Sequence, residues 1–179
     1  LPLMNTVFFV IGANGVGKTS VLNLLKNQLS IGHFSVYDFD ERGVPDNADK
    51  DWRISETEYW LSVGIENKRQ NKNTVVCGSM KPEEIEEVAE RLGDRPVVIF
   101  LEADANSISE RIKSRYLDEN SVKELFRATG KSVEKFIEGN VYYSNILRES
   151  CLQYGYDVVD TTGKRPEEVT KEVVNIICK

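Results

Sequence analysis

The chain has 179 residues, 40% of them hydrophobic, a size and composition typical of one globular domain that spans residues 1–179. Its 29 acidic and 23 basic side chains give a net charge of −6, which argues against a nucleic-acid partner, and no apolar run is long enough to suggest a membrane span. Three scattered cysteines and one histidine do not form a zinc set and indicate reduced thiols in a cytoplasmic protein, while the oligomeric state stays open.

Short apolar runs alternate with amphipathic patterns along the chain. Runs rich in β-branched and aromatic residues predict buried strands, and the patterns between them predict helices. The predicted order is strand 7–11, helix 18–29, strand 35–39, helix 55–68, strand 74–77, helix 81–93, strand 97–101, helix 106–116, helix 133–153, strand 157–159 and helix 165–177. This alternation is typical of an α/β fold with a mostly parallel sheet covered by helices on both faces.

Local signals mark several of the helix ends. Ser55, with a glutamate three residues later, predicts a helix start, and Pro82 and Gly93 predict the start and stop of the next helix. Two stretches break the alternation, the charged loop at residues 40–53 and the insert at residues 117–132. Loops of this length in an α/β domain are often functional.

The segment after the first strand reads GANGVGKT and matches the pattern G-x-x-x-x-G-K-[ST] in full. Its glycines allow backbone angles that let consecutive amide N–H groups face one phosphate, and the helix N-terminus adds partial positive charge. Lys18 is placed to reach the β- and γ-phosphates, and the Thr19 hydroxyl is placed to bind Mg²⁺. The sequence therefore predicts a site for a nucleoside triphosphate with Mg²⁺, formed by Gly12, Ala13, Asn14, Gly15, Val16, Gly17, Lys18, Thr19 and Ser20.

Three classes of protein use such a loop. A GTPase needs D-x-x-G after a later strand and N-K-x-D for guanine, but DERG (residues 40–43) directly follows the second strand and NKNT (71–74) lacks the aspartate. A motor or remodelling ATPase carries an acidic pair at the end of an apolar strand, but TVVCGSMK at the third strand has no carboxylate. The third class is the small phosphotransferases. An ATPase or nucleotide sensor without a phosphate acceptor stays open as the alternative.

Several segments together resemble the P-loop small-molecule kinases, a family that includes adenylate, shikimate, gluconate, nucleoside and polynucleotide kinases. They are the loop at Gly12, YDFD at the end of the second strand, VVIFLEAD followed by RIKSR, and the ending YDVVDTTGKRPEEV. The resemblance implies the three-layer α/β/α P-loop NTPase fold, with a five-stranded parallel sheet and a helical lid insert at about residues 111–132. It also implies transfer of the γ-phosphate of ATP to a small-molecule acceptor.

The resemblance assigns roles to charged residues outside the loop. Asp38 matches the family's aspartate that accepts the proton of the acceptor hydroxyl or helps to hold Mg²⁺, and Asp40 shares its face of an extended strand. Arg111 and Arg115, one helical turn apart, match the lid arginines that contact the transferring phosphate. The predicted catalytic residues are Lys18, Asp38, Arg111 and Arg115; Arg111 also contacts the nucleotide, and Asp38 joins Thr19 at the metal.

The remaining assignments concern the nucleotide base and the acceptor. In related kinases the turn after the last strand wraps the adenine, and here that turn contains Thr162, Gly163 and Lys164. The acceptor contacts are assigned to two carboxylates and three cations, Asp38, Asp40, Arg53, Lys81 and Arg127.

The charge of residues 40–53 bears on the kind of acceptor. These residues carry five carboxylates and three cations, a balance that repels a dianionic acceptor, and the D-G-F-P-R sequence of nucleoside monophosphate kinases is absent near the third strand. The sequence therefore favours an acceptor that attacks through a hydroxyl, such as a nucleoside or a sugar. A nucleoside monophosphate kinase and a nucleic-acid 5′-end kinase stay as alternatives.

Overall fold

The computed structural model describes residues 5–29 and 33–179, and within them it contains five strands and seven helices. The strands are β1 (Val7–Ile11), β2 (Phe34–Asp38), β3 (Asn73–Gly78), β4 (Val97–Glu102) and β5 (Asp157–Asp160). The helices are α1 (Lys18–Leu29), α2 (Lys50–Arg69), α3 (Pro82–Leu92), α4 (Ala105–Lys113), α5 (Glu119–Thr129), α6 (Val133–Gln153) and α7 (Pro166–Ile177).

The five strands run parallel in the order β2–β3–β1–β4–β5, which puts β1 at the centre and β2 at an edge. All five residues of β1 are apolar and buried, as expected for a strand covered on both faces. Ile11 at the end of β1 pairs with Gly78 of β3, and Asp38 at the end of β2 pairs with Cys77. The carboxyl ends of parallel strands all lie at the same end of the sheet. The segments that follow β1, β2 and β3 therefore lie close together there.

Helices cover both faces of this sheet. Helix α1 packs against α7, whereas α2 packs against α3, and α6 packs against α3 and α4. After β1 the chain moves one way along the sheet and after β2 it moves the other way, so right-handed crossovers put α1 on one face and α2 and α3 on the opposite face. The predicted three-layer α/β/α fold with a five-stranded parallel sheet is confirmed.

The start of α2 differs from the prediction. The helix begins at Lys50, well before Ser55, because the Asp49 carboxylate accepts a hydrogen bond from the backbone N–H of Trp52 (2.9 Å) and caps the first turn. Ser55 and the glutamate after it imitate a capping box but lie inside the helix. Arg53, predicted to belong to the charged loop, therefore stands in the first turn of α2.

The segment after β4 also differs from the prediction. Helix α4 ends at Lys113, so Arg115 lies in the turn that follows, where its N–H donates to the carbonyl of Ile112 (3.0 Å). Arg111 and Arg115 therefore do not share a helix. The insert at residues 117–132 contains α5, which is capped by the carboxylate of Asp118 (2.9 and 3.0 Å). Its action as a lid stays a prediction.

The cysteines are unpaired, as expected. Cys77 and Cys151 are buried, and Cys178 is exposed. Within residues 5–29 and 33–179, no helix has both the length and the apolar character needed to cross a membrane.

Candidate active site

The loop between β1 and α1 has the backbone that its glycines predict. Gly15 and Gly17 adopt positive φ angles of 89° and 101°, a region that residues with side chains rarely enter. A side chain at Gly15 would also press on Ile108 and Ile112 of α4, which lie 3.1–3.2 Å from the position of its Cβ. The loop is therefore turned sharply and packed under α4, with helix α1 beginning directly after it at Lys18.

Lys18 points back across this loop. Its Nζ donates to the carbonyl oxygens of Gly12 (2.6 Å) and Ala13 (2.7 Å). Burial of the ammonium group lowers the pKa of Lys18 to about 8; nearby Arg115 lowers it further, and Asp40 opposes the shift. The charge of Lys18 is thus held over the loop by two carbonyl groups that a phosphate oxygen can replace.

A cavity of about 120 Å³, the loop cavity, lies beside this lysine. Its walls come from the glycine-rich loop, the segment after β2, the end of β3 and the turn after α4. The lining residues are Asn14, Gly15, Lys18, Thr19, Leu22, Asp38, Asp40, Cys77, Gly78, Ser79 and Arg115. The cavity brings together seven residues that the sequence assigned to the site, Asn14, Gly15, Lys18, Thr19, Asp38, Asp40 and Arg115. The contribution of β3 was missed, because the sequence does not say which strand lies beside β1.

The two aspartates of the loop cavity form a compact pair. The backbone N–H of Asp40 donates to Oδ1 of Asp38 (3.0 Å), which folds the chain into a turn at the end of β2. Burial raises the pKa of the Asp40 carboxyl, and the negative charge of Asp38 raises it further, against the opposing charge of Lys18. Asp38 therefore stands at the end of β2, and beside it Asp40 has a carboxyl group whose ionisation is disfavoured.

A second cavity of about 270 Å³, the β5 cavity, lies on the other side of Arg115. It is lined by Val16, Gly17, Ser20, Val21, Arg111, Ser114, Arg115, Thr161, Lys164, Pro166 and Val169. Valine and proline side chains give it apolar walls, which suit the flat face of a nucleobase, and the hydroxyls of Ser20 and Ser114 add polar groups. Because Arg115 lines both cavities, the two spaces meet at its side chain.

Arg111 fastens α4 to the glycine-rich loop and to the end of β5. Its Nη1 donates to the carbonyl of Val16 (3.2 Å) and to Oγ1 of Thr161 (2.8 Å), and its Nη2 donates to the carbonyl of Thr161 (2.7 Å). Thr161 is buried, and its hydroxyl in turn donates to the carbonyl of Val16 (2.9 Å). Thr161 is not among the predicted site residues, although it directly precedes the predicted base-binding turn.

The predicted base-binding turn is only partly at the β5 cavity. Lys164 lines the cavity, and its Nζ pairs with Glu172 (2.8 Å), a contact that raises the pKa of Lys164. Thr162 instead connects two loops, since its hydroxyl accepts a hydrogen bond from the N–H of Asp104 (2.9 Å). Gly163 has a positive φ of 65° and makes the turn.

Comparisons with known proteins agree on a family, although no family model matches the chain. A protein of Pyrococcus furiosus named "Putative adenylate kinase" is 28% identical over 172 residues, an alignment that covers 96% of this chain and 83% of that protein. A gluconokinase from Sinorhizobium meliloti 1021 superposes with a TM-score of 0.61 at 18% identity, covering 94% of this chain and 89% of its own. A shikimate kinase from Acinetobacter baumannii superposes with a TM-score of 0.56 at 15% identity, and the superposition covers 97% of this chain and 93% of the shikimate kinase. The chain is therefore similar in sequence to a protein named as a kinase, and it has the fold of the P-loop kinases.

The resemblance to the P-loop small-molecule kinases is thereby confirmed, and these relatives support a phosphotransferase that acts on a small substrate. Three predicted acceptor residues lie outside both cavities described above. Arg53 forms a bidentate ion pair with buried Glu84, with Nη2–Oε1 at 2.8 Å and Nε–Oε2 at 3.1 Å. Lys81 precedes α3, and its Nζ lies 5.8 Å from the ring centre of Tyr143. Their contacts with an acceptor stay predictions.

The third of these residues, Arg127, stands on α5. It lines a groove of about 740 Å³ between α5 and the charged loop after β2, which contributes Val44, Pro45, Asp46 and Ala48. The groove thus joins the two stretches that interrupt the strand–helix alternation of the sequence.

Asn140 is a further residue that the sequence did not reveal. It is buried on α6, and its Oδ1 accepts a hydrogen bond from the backbone N–H of Asn14 (3.2 Å), while its Nδ2 donates to the carbonyl of Phe136 (2.8 Å). Helix α6 therefore contacts the glycine-rich loop of the kinase directly. No local pattern marks this asparagine, because its partner lies 126 positions away in the chain.

The predicted metal ligands are near each other in the loop cavity. Thr19 and Asp38 both line it and offer the hydroxyl and carboxylate oxygens that Mg²⁺ prefers. Among the described residues, no cluster of three or more histidine, cysteine, aspartate or glutamate side chains is arranged to hold a metal ion. This donor set fits an ion that takes most of its ligands from substrate phosphates and water, as Mg²⁺ does in nucleotide sites.

Proposed function

We propose that this kinase transfers the γ-phosphate of Mg-ATP to a hydroxyl group of a small acceptor. The single observation that carries the proposal is the loop cavity, where Lys18, Asp38 and Arg115 line one space of about 120 Å³. Phosphoryl transfer requires little from a protein beyond positioning and stabilisation of charge. A cation at the phosphate loop, a second cation from the turn after α4 and a carboxylate at the end of β2 supply both.

The donor nucleotide extends through both cavities in this proposal. The base lies in the β5 cavity against Val16, Pro166 and Val169, and the phosphates pass Arg115 to reach the loop amides. Lys18 exchanges the carbonyls of Gly12 and Ala13 for phosphate oxygens. Thr19 and Asp38 would hold Mg²⁺, which when bound neutralises phosphate charge.

The chain's own groups carry the transfer step. The oxygen of the acceptor hydroxyl attacks the γ-phosphorus in line with the departing ADP oxygen. Asp38 accepts the proton of this hydroxyl or orients the hydroxyl for the attack. Arg115 and Lys18 stabilise the charge on the equatorial oxygens of the transferring group. Arg111 acts differently from the sequence assignment, because carbonyl and hydroxyl groups already occupy its guanidinium and it fastens the walls of the nucleotide site.

The acceptor in this proposal is a nucleoside, a sugar or a related alcohol. Support comes from the charges near the loop cavity, since Asp40 stands beside Asp38 and the cation of Arg53 is neutralised by Glu84. The second candidate is a nucleoside monophosphate, which the name of the Pyrococcus furiosus relative favours. The same proposal treats residues 1–179 as one domain in which residues 111–132 close over the acceptor as a lid.

The test is transfer of label from γ-labelled ATP with Mg²⁺ to nucleosides, nucleoside monophosphates, sugars, hydroxy acids and 5′-hydroxyl oligonucleotides, offered in parallel. We expect label on a hydroxyl acceptor, no transfer by Lys18→Ala, and normal transfer by Lys26→Ala, which removes an exposed lysine from the same helix. Label on monophosphates would favour the second candidate. Label found only as free phosphate would support an ATPase and overturn the proposal.

A further inference from the structure

The residue between Asp38 and Asp40 is fixed from two directions through its backbone. Phe39 is 2% exposed, its N–H donates to the carbonyl of Cys77 (2.9 Å), and its carbonyl accepts a hydrogen bond from Nε1 of Trp60 (3.0 Å). Both bonds connect the segment after β2 to other elements, one to β3 and the other to α2. Phe39, the first residue after β2, is therefore held in place by hydrogen bonds to β3 and α2.

The position of the Trp60 indole is itself determined by packing. Trp60 is 2% exposed, and its ring lies between Tyr37 and Tyr59, with ring centroids 4.9 and 5.1 Å away. The indole N–H has the carbonyl of Phe39 as its partner, so both ends of this hydrogen bond are buried and satisfied. A donor held in this way restricts where the following residue, Asp40, can go.

Gly78 fixes Phe39 from a third direction. A Cβ at position 78 would collide with Cβ of Phe39 and would lie 3.0 Å from its Cγ, so only glycine leaves room for this side chain. Gly78 also lines the loop cavity, together with Asp38 and Asp40. The side chain of Phe39 thus packs against Gly78, in the space that a side chain at position 78 would fill, next to the loop cavity.

These contacts matter because β2 is an edge strand. Among the described strands β2 pairs with β3 alone, so the sheet holds β2 from one side only. The carboxylates of Asp38 and Asp40 stand on either side of Phe39 and face the same cavity. Without the anchor, both would sit at the start of a charged loop whose next regular element begins at Lys50.

We propose that Trp60 and Gly78 are positioning residues for phosphate transfer, which act through Phe39 to hold the carboxylates of Asp38 and Asp40 in the loop cavity. This inference rests on the proposed function, because a positioned carboxylate is needed only if an acceptor hydroxyl is activated there. Neither residue touches the reacting atoms. Misplacement of a reacting group by about 1 Å can cost on the order of 100-fold in rate, so a small shift of Phe39 is enough to be measured.

The sharpest variant is Trp60→Phe, which keeps a buried aromatic ring and removes the N–H donor. We expect kcat to fall about tenfold while Kd for Mg-ATP, measured by calorimetry, stays within about twofold, because Trp60 lines neither cavity and the substitution shifts the two carboxylates without removing any group that binds the nucleotide. The matched control is Trp52→Phe on the same helix. Trp52 contacts the ring of Phe39 edge-on (6.0 Å between centroids), whereas the hydrogen bond to the Phe39 carbonyl comes from Trp60. The kcat of the Trp52→Phe control should stay within about twofold of the wild-type value.

Gly78→Ala tests the same anchor from the side of β3. We expect a larger fall in kcat, on the order of 100-fold, with Mg-ATP binding retained as proof that the variant is folded. Unchanged kcat in both Trp60→Phe and Gly78→Ala, in a wild-type enzyme that transfers phosphate, would overturn the positioning role alone. An equal loss in Trp52→Phe would also overturn it, because general packing around Phe39 would then account for the effect. A wild-type enzyme that transfers phosphate to no acceptor would instead overturn the proposed function and, with it, this inference.

Discussion

The predicted nucleotide side of the site and its predicted acceptor side are built in different ways. On the nucleotide side, one contiguous stretch, residues 12–20, forms the phosphate-binding loop, and Arg111 connects this stretch to the end of β5 through hydrogen bonds of 2.7 and 2.8 Å to Thr161. On the acceptor side, the two aspartates stand at the end of an edge strand. Arg53, one of the two arginines assigned to the acceptor, is paired with Glu84 on another helix.

The difference shows what kind of selectivity each side can have. Backbone amides and one lysine bind any triphosphate, so a contiguous loop is sufficient on the nucleotide side. Selection of an acceptor depends on side chains, and the residues proposed for it come from or near β2, α2, α3 and α5. Four experiments test this contrast.

The largest effect is expected from the carboxylate of Asp38. Asp38→Asn should lower kcat by about 10²–10⁴-fold, because it removes the group that accepts or orients the hydroxyl proton, while Kd for Mg-ATP changes by less than about threefold, because the asparagine oxygen can still bind Mg²⁺. Asp40→Asn is the matched control, and steady-state kinetics should give it a loss below about tenfold. A larger loss in Asp40→Asn than in Asp38→Asn would move the role of the base to Asp40.

The next effect should separate the two arginines. Arg115→Lys should lower kcat by about 10²-fold, since lysine lacks the planar fork that binds two phosphate oxygens. Arg111→Lys should mainly weaken Mg-ATP binding and lower the melting temperature, because the Arg111 guanidinium bonds to Val16 and Thr161. Calorimetry and single-turnover rates distinguish the two results, and a purely kinetic defect in Arg111→Lys would contradict this division.

A smaller effect is expected from the Arg53–Glu84 ion pair. Glu84→Gln leaves Arg53 uncompensated in a buried contact and should lower the free energy of unfolding by about 3 kcal/mol, measured with urea. The double variant Arg53→Met with Glu84→Leu should stay within about 1 kcal/mol of wild type. If Glu84→Gln gains activity on nucleoside monophosphates, the ion pair is what excludes phosphorylated acceptors, and the contrast between the two sides is sharpened.

The smallest effect concerns pH. Burial puts the folded-state pKa of Lys18 at about 8, below its unfolded value, so the side chain loses its proton and its charge as pH rises through about 8. Kd for Mg-ATP should therefore increase by up to about tenfold per pH unit above that value. Lys18→Arg, which keeps its charge at these pH values, should show a flat profile in the same calorimetric series. A flat wild-type profile between about pH 7 and 9.5 would contradict the assigned pKa.

Some elements could be predicted because their signals are local. The five residues of β1, all apolar, and the glycines that follow them indicate a strand and a phosphate-binding turn whatever surrounds them. The start of α2 was predicted wrongly because Ser55 and Asp49 carry equally good capping signals, and only the fold selects the aspartate. The end of α4 before Arg115 was not predicted, because nothing in the local sequence stops the helix at Lys113.

The α/β class, the phosphate-binding loop and the aspartates after the second strand could be predicted from the amino-acid sequence, because every signal behind them lies within a single strand, helix or turn. The tertiary fold is what makes Cys77, Gly78 and Ser79 line the loop cavity, bonds Asn140 to the loop and neutralises Arg53. These contacts join residues that are distant in the chain. Strand order and helix packing bring them together, and neither is encoded by the spacing of residues along a single segment.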